Sequence, residues 1–292
     1  MTTKRTLRGA GLLQKSRMQL WLIPLLVLMG ITKTSAESWL PLGANDWRQP
    51  SNGTVEYTSL AIDGSGTPYL AYRDDANGNK ATVMKFNGTI WEVVGSAGFS
   101  AGQANSISLV IDGSGTPYVA YLDYGNDYKA TVKKFNGISW VDVGNPGFSA
   151  GQANYTSLAI DGSGTPYVAY MDDDNGGKAT VMKFNGTIWE VVGSAGFSAG
   201  TTRYTSLAID GSGTPYIAYR DDANGNKATV MKFNGTIWEA VGIAGFSAGQ
   251  ASNTSLAIDG NGTPYVAYGD DGNEGKATVM KFNGSNWVNV GN

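Results

Sequence analysis

A block of 49 residues is written five times in this chain with few changes. The aspartate of the phrase Ile-Asp-Gly falls at Asp63, Asp112, Asp161, Asp210 and Asp259. The phrase Lys-Phe-Asn-Gly keeps the same step at Phe86, Phe135, Phe184, Phe233 and Phe282. Residues 61–104 and 208–251 differ at three of 44 positions, Leu70/Ile217, Val93/Ala240 and Ser96/Ile243. A fixed period of this length specifies a solenoid, a propeller or an array. Any surface site on one repeat is then expected in about five copies.

Each repeat holds four short runs rich in Val, Ile, Tyr, Phe, Trp and Thr, which suit strands. In the first repeat they are 57–63, 67–73, 80–86 and 90–95. Asp63-Gly64-Ser65-Gly66 separates the first two, and Asn87-Gly88 separates the last two. Both are tight hairpin signals, because glycine supplies positive φ at no steric cost. A longer acidic loop, Asp74-Asp75-Ala76-Asn77-Gly78-Asn79, joins the second run to the third. No segment shows a helical apolar period. Four antiparallel strands in 49 residues bury too little core alone, so the repeats must stack face against face. The expected fold is all-β, a β-propeller of five four-stranded blades over 57–292, with repeats starting near 57, 106, 155, 204 and 253. The small side chains of Ser59-Leu60-Ala61-Ile62 fit an innermost strand. The recurring Trp91, Trp140, Trp189, Trp238 and Trp287 fit an outer strand, as core packing.

One count does not close. The fourth-strand phrase occurs six times, because Trp39-Leu40-Pro41-Leu42-Gly43 precedes the first full repeat, within an N-terminal segment of 37–56. That surplus strand either completes the last blade and displaces 285–291, or stands as an extra edge that invites self-association.

Residues 1–36 read as a signal peptide. A basic start (Lys4, Arg5, Arg8, Lys15, Arg17) leads into the apolar stretch 20–31 and then Thr34-Ser35-Ala36. The apolar run is short for a membrane span. The expectation is a secreted, cell-surface or periplasmic protein with no membrane insertion after cleavage. Six of the 21 Lys and Arg lie in 1–36 with no Asp or Glu, leaving 15 against 24 and a net charge of −9 for the remainder. An acidic chain is a poor nucleic-acid partner, since affinity there rests on cations neutralising phosphates. The chain has no Cys and no His. Packing and strand pairing must therefore supply its stability, and the commonest general base and zinc ligand is absent.

The phrase Leu-Ala-Ile-Asp-Gly-Ser-Gly-Thr-Pro-Tyr-Val-Ala-Tyr at 158–170, with the later Lys183-Phe184-Asn185-Gly186, resembles the NHL-type propeller repeat of bacterial secreted proteins. The resemblance covers 57–292 and implies a blade. Kelch repeats and the five-fold tachylectin-type lectin propellers are more distant architectural parallels. The lectin parallel implies sugar binding at repeated sites.

Differences among the copies gather at one end of the blade. They fall at Tyr57/Ser106/Tyr155/Tyr204/Asn253, at Arg73/Leu122/Met171/Arg220/Gly269 and in the acidic loop. This loop-bearing rim is the candidate binding face. Its candidate residues are Tyr57, Arg73, Asp74, Asp75, Asn77, Tyr155, Asp172, Asp173, Tyr204, Arg220, Asp221, Asp222, Asp270 and Asp271. Aromatic rings stack on sugars and carboxylates bind hydroxyls, so a glycan is the expected partner, with a surface protein as the alternative. Loops also drift freely, which accounts for variation without function. No cofactor is expected. The loop Asp172-Asp173-Asp174-Asn175-Gly176 offers oxygen ligands for calcium, but without the spacing of a twelve-residue calcium loop. An active site places acid and base in unlike environments, and no repeat has an acidic cluster unlike its neighbours. The expectation is a multivalent binding protein, monomeric or self-associating and not an enzyme, with a structural, protein-interaction or adhesion propeller as the alternative and a carbohydrate-active hydrolase or lyase as the remote one.

Overall fold

The computed structural model describes residues 53–291. The signal-like segment 1–36 and the surplus strand at Trp39–Gly43 lie outside the described residues. Five antiparallel four-stranded sheets follow one another along the chain, each in sequential strand order. In blade 1 the strands are β1 (Val55–Ile62), β2 (Pro68–Asp74), β3 (Lys80–Phe86) and β4 (Trp91–Val93). Each expected run is found, shifted by one or two residues at its ends. A single 3-10 turn, Asp75–Asn77, begins the acidic loop and was not anticipated.

The hairpin turns are built as their sequence requires. Asp63 Oδ1 accepts the N–H groups of Ser65 and Thr67, both at 2.9 Å. Gly66, at φ 87°, turns the chain. Asn87 Oδ1 likewise accepts from Thr89 and Ile90.

The first strands pack against one another from blade to blade. Ser59 Oγ accepts the N–H of Leu109 at 3.0 Å. The same bond recurs from Leu158 to Ser108, Leu207 to Ser157 and Leu256 to Ser206. Four apolar clusters fill the spaces between successive blades. In the first, Ala71, Ala81 and Val83 of blade 1 meet Leu109, Val119 and Tyr121 of blade 2. Four of the five tryptophans pack in the core as expected, while Trp91 is half-buried and lies outside the four clusters. Trp140 donates its Nε1–H to the Val94 carbonyl at 2.8 Å and stacks on Phe99 at 4.2 Å. Trp189, Trp238 and Trp287 repeat the bond with Val143, Val192 and Val241.

Blade 5 takes its fourth strand from its own sequence, Trp287–Asn289 paired with Lys276–Phe282. Displacement of 285–291 by the surplus strand is therefore not what the structure shows.

Candidate functional site

The two ends of each blade differ as the sequence suggested. Hairpin turns occupy one end. The 3-10 loops and the links between blades share the other, joined by bonds such as Tyr124 N–H to the Gln103 carbonyl and Asp173 N–H to the Gln152 carbonyl.

At this loop-bearing end every first strand carries a β-bulge, with the register slipping between Glu56 and Ser59 and at the equivalent points of the other blades. The bulge forces one residue into the left-handed region. That residue is Tyr57, Ser106, Tyr155, Tyr204 or Asn253, at φ 51°, 49°, 52°, 54° and 51°. Asn tolerates this conformation, whereas a bulky side chain does so at a cost of roughly 1–2 kcal/mol. Successive bulges touch. Thr156 Oγ1 donates to the Ser106 carbonyl, Thr205 Oγ1 to that of Tyr155, and Thr254 Oγ1 to that of Tyr204. The rings of Tyr155 and Tyr204 meet edge to face at 5.2 Å.

The candidate residues form three unequal clusters rather than five equal sites. Between blades 1 and 2, Arg73 pairs with Glu56 at 2.6 Å and donates to Asn105 Oδ1 at 2.8 Å. Its guanidinium lies 5.4 Å from the centre of the exposed Tyr57 ring. Asn105 donates in turn to Tyr124 Oη, and Tyr124 meets Tyr128 edge to face at 4.6 Å. Between blades 3 and 4 stands the Tyr155–Tyr204 pair. In blade 4, Arg220 donates twice to Asn226 Oδ1 and lies 3.8 Å from Asp222. Asp75, Asp173 and Asp271 are exposed and open their 3-10 turns. Glu56, Asn105, Tyr124 and Tyr128 were missing from the expected set. Tyr124 and Tyr128 are the odd copies at their positions, which was the signal available.

Four candidates require correction. Asp74, Asp172, Asp221 and Asp270 are buried, at 1–3 % exposure. Asp172 Oδ2 accepts from Asn175 Nδ2 at 2.9 Å and from Thr180 Oγ1 at 2.8 Å. Thr180 Oγ1 then accepts the N–H of Gly196 in the next link. Asp74 and Asp221 do the same through Thr82 and Thr229. In blade 5, Asp270 Oδ1 accepts from the Gly249 and Gly272 N–H groups. These carboxylates hold the loop and the link together and have no face toward a ligand. Asn77 donates its amide to Asp74 Oδ2 and is itself exposed. Among the described residues no three His, Cys, Asp or Glu cluster so as to hold a metal ion.

Burial pushes the phenol pKa of Tyr72, Tyr170, Tyr219 and Tyr268 well above the usual value, and the carboxylate at the end of the same strand adds to the effect. These hydroxyls stay neutral and serve packing. Asp63 is held below the usual carboxylate range by the Ser65 hydroxyl and the Thr67 N–H. For Asp161 and Asp210 burial opposes the shift, and the same turn bonds outweigh it.

Two concave surfaces lie at the opposite, hairpin end. A groove of about 350 Å³ in blade 4 is lined by Ser212, Thr214, Tyr216, Lys232 and Asn234. Its equivalent in blade 5, about 500 Å³, runs over Tyr265, Lys281 and Asn283. Sequence reasoning passed over this end because its turns hardly vary. The turn carboxylates there are spent on their own hairpins, so the grooves offer a Tyr, a Lys and an Asn. The loop-bearing end holds the left-handed residues and the exposed rings of Tyr57, Tyr124 and Tyr128. Strained backbone concentrates at functional sites.

No protein-family model matches the sequence, and no curated protein matches it. Solved structures match in fold. A protein of unknown function from Dyadobacter fermentans superposes with a TM-score of 0.56 and 16 % identity, over 81 % of this chain and 82 % of its own. The Aleuria aurantia lectin, in complex with Fucalpha1-6GlcNAc, gives 0.54 and 17 % over 81 % and 79 %. A polysaccharide lyase, an ulvan lyase, gives 0.55 and 14 % over 82 % and 73 %. Identity this low establishes a shared fold, a propeller of four-stranded blades. It also corrects one expectation. The sequence was read as that of a non-enzyme, yet the fold is shared with an enzyme, so neither the fold nor its repetition excludes turnover.

Proposed function

We propose that this chain is an exported glycan-recognising propeller whose loop-bearing end contacts the sugar. The observation that carries this reading is the row of left-handed residues at the bulges. Three of the five are tyrosines, where Asn253 shows that an easier residue is accommodated. Tyr57 is well exposed and Tyr155 and Tyr204 half-buried, so burial alone does not account for the rings. Strain retained without a matching packing gain favours a surface kept for contact. The Tyr57 face beside Arg73, with the exposed Asp75 and Asp173 on the same end, suits a polyhydroxylated ligand. The lectin sharing the fold, solved with a fucosylated disaccharide, supports the same ligand class. The NHL-type likeness adds the blade pattern, and the signal-like 1–36 supports export.

The test is a broad glycan array on the purified chain, with and without calcium, followed by incubation of any bound glycan to detect cleavage. The expected result is selective binding that the double variant Tyr155→Ala/Tyr204→Ala weakens by about tenfold, the equivalent of about 1.4 kcal/mol of stacking. Lys232→Ala should leave it unchanged. Loss with Lys232→Ala and not with the tyrosine pair would move the site to the hairpin-end grooves. A blank array on folded protein would sink the glycan reading in favour of a protein partner. Cleavage would make the same rim an active site.

A further inference from the structure

The hairpin end is not the same in every blade. The last lysine of the third strand is present in all five. Directly opposite it on the fourth strand stands Glu92, Glu190 or Glu239 in blades 1, 3 and 4, but Val141 or Val288 in blades 2 and 5. Each glutamate satisfies donors at the turn. It accepts the side-chain amide of the turn asparagine, from Asn87 at 2.6 Å in blade 1 and from Asn234 at 3.0 Å in blade 4. Glu239 also lies 3.4 Å from Lys232. Valine can do neither. In blades 2 and 5 the asparagine still builds its turn, since its Oδ1 accepts the N–H groups two and three residues on. Among the described residues, however, the Nδ2 groups of Asn136 and Asn283 have no acceptor, and Lys134 and Lys281 are in no ion pair. Lys134 Nζ lies 5.8 Å from the centre of the Tyr118 ring. Lys281 and Asn283 line one groove, as Lys232 and Asn234 do in blade 4.

We propose that the hairpin ends of blades 2 and 5 each bind an oxyanion of an acidic saccharide, a carboxylate or a sulfate, between the lysine ammonium and the asparagine amide. The occupied form of the site is present elsewhere in the same chain. In blade 4 the Glu239 carboxylate bonds Asn234 and pairs with Lys232, and the ligand oxyanion takes that place where valine stands instead. A bond from an ammonium to an oxyanion is roughly twice as strong as one between neutral groups. Tyr265 and Thr263 line the blade 5 groove and add hydroxyls for the rest of the sugar. The nearest competing anion is the turn aspartate. Asp112 Oδ1 is taken by the N–H groups of Ser114 and Thr116. Burial opposes the lowered pKa of Asp112, the bonds from Ser114 and Thr116 outweigh it, and Lys134 adds the least. Asp259 Oδ1 is held in the same way by Asn261 and Thr263. The chain beyond residue 36 is acidic as a whole, so the attraction is local and screened by salt. A polysaccharide repeats its oxyanions, and two sites on one chain add avidity for it. The loop-bearing end takes no part, so this site stands or falls apart from the reading of that rim.

The experiment follows the asparagine side-chain amide signals of the purified chain by NMR during titration with a galacturonic acid trisaccharide, a sulfated galactose trisaccharide and the neutral galactose trisaccharide. The signals of Asn136 and Asn283 are expected to move with an acidic sugar and not with the neutral one, while those of Asn87, Asn185 and Asn234 stay. A response to the carboxylated or to the sulfated sugar alone supports the proposal and assigns the source of the oxyanion. Lys134→Gln should weaken the response at Asn136 at least about tenfold and leave Asn283 unchanged. Glu239→Val installs the residue already present at Val141 and Val288, so it should fold, and it should add Asn234 to the signals that respond. Equal movement with the neutral sugar would overturn the proposal. So would an Asn234 that stays silent in Glu239→Val. Silence at Asn136 and Asn283 with both acidic sugars would overturn it too, and glycan-induced shifts confined to Tyr57, Tyr155 and Tyr204 would then leave the loop-bearing rim as the one site.

Discussion

Tyr204 carries two opposed terms at one position. Its φ of 54° costs roughly 1–2 kcal/mol for a side chain of its size, and its edge-to-face contact with Tyr155 returns about 0.5–1.5 kcal/mol. Tyr204→Asn removes both and installs the residue the fifth blade already uses at Asn253. The expected outcome is a net stabilisation of about 0.5 kcal/mol in urea unfolding, together with weaker glycan binding. A lowered midpoint would show that the tyrosine pair holds the bulge, and the strain would lose its functional meaning. None of this is legible in the sequence, because Tyr is a strand former and nothing in its neighbours announces a bulge. The buried aspartates are a different failure. Asp172 and Asp173 stand side by side with the same chemistry, yet one turns inward to Thr180 and the other faces out. The clue was present in the repeats. The inward position is Asp in all five copies, Asp74, Asp123, Asp172, Asp221 and Asp270, while the next position changes to Tyr124 in the second.

At the scale of elements, strands and turns followed from composition and from the two glycine hairpins. The link between blades did not, because Gly/Ser/Ala stretches look like free linkers. It is instead held tightly under the tryptophan of the following blade. Gly144, at φ 73°, has no room for a side chain, since a Cβ there would lie 2.9 Å from Phe184 Cε2 and 3.0 Å from Trp189 Cδ1. Trp189 covers it, donates to the Val143 carbonyl at 2.7 Å and stacks on Phe148 at 4.2 Å. Trp189→Phe leaves that carbonyl buried without its donor and opens a small void. The expected loss is about 3 kcal/mol of unfolding free energy, read from guanidinium denaturation. A loss under about 1 kcal/mol would mean that the ring is replaceable filler and that the Val143 carbonyl finds another donor.

At the scale of the whole molecule, repetition predicts the blade and is silent about closure. Five copies of one interface rule specify four junctions, and whether the ends meet depends on the small rotation between blades, which no residue encodes alone. Stability in such an array is a sum of intrinsic terms and nearest-neighbour interfaces. Blade 3 is packed on both faces, and its third strand Lys178–Phe184 buries Ala179 and Val181 completely. The equivalent Lys276–Phe282 in blade 5 leaves Ala277 and Val279 open. Blade 5 is one interface short, so its local opening costs less. In dilute solution the amides of Lys276–Phe282 should exchange at least about tenfold faster than those of Lys178–Phe184. Equal protection of the two strands at high dilution would mean that the array opens as one unit, with its ends already joined.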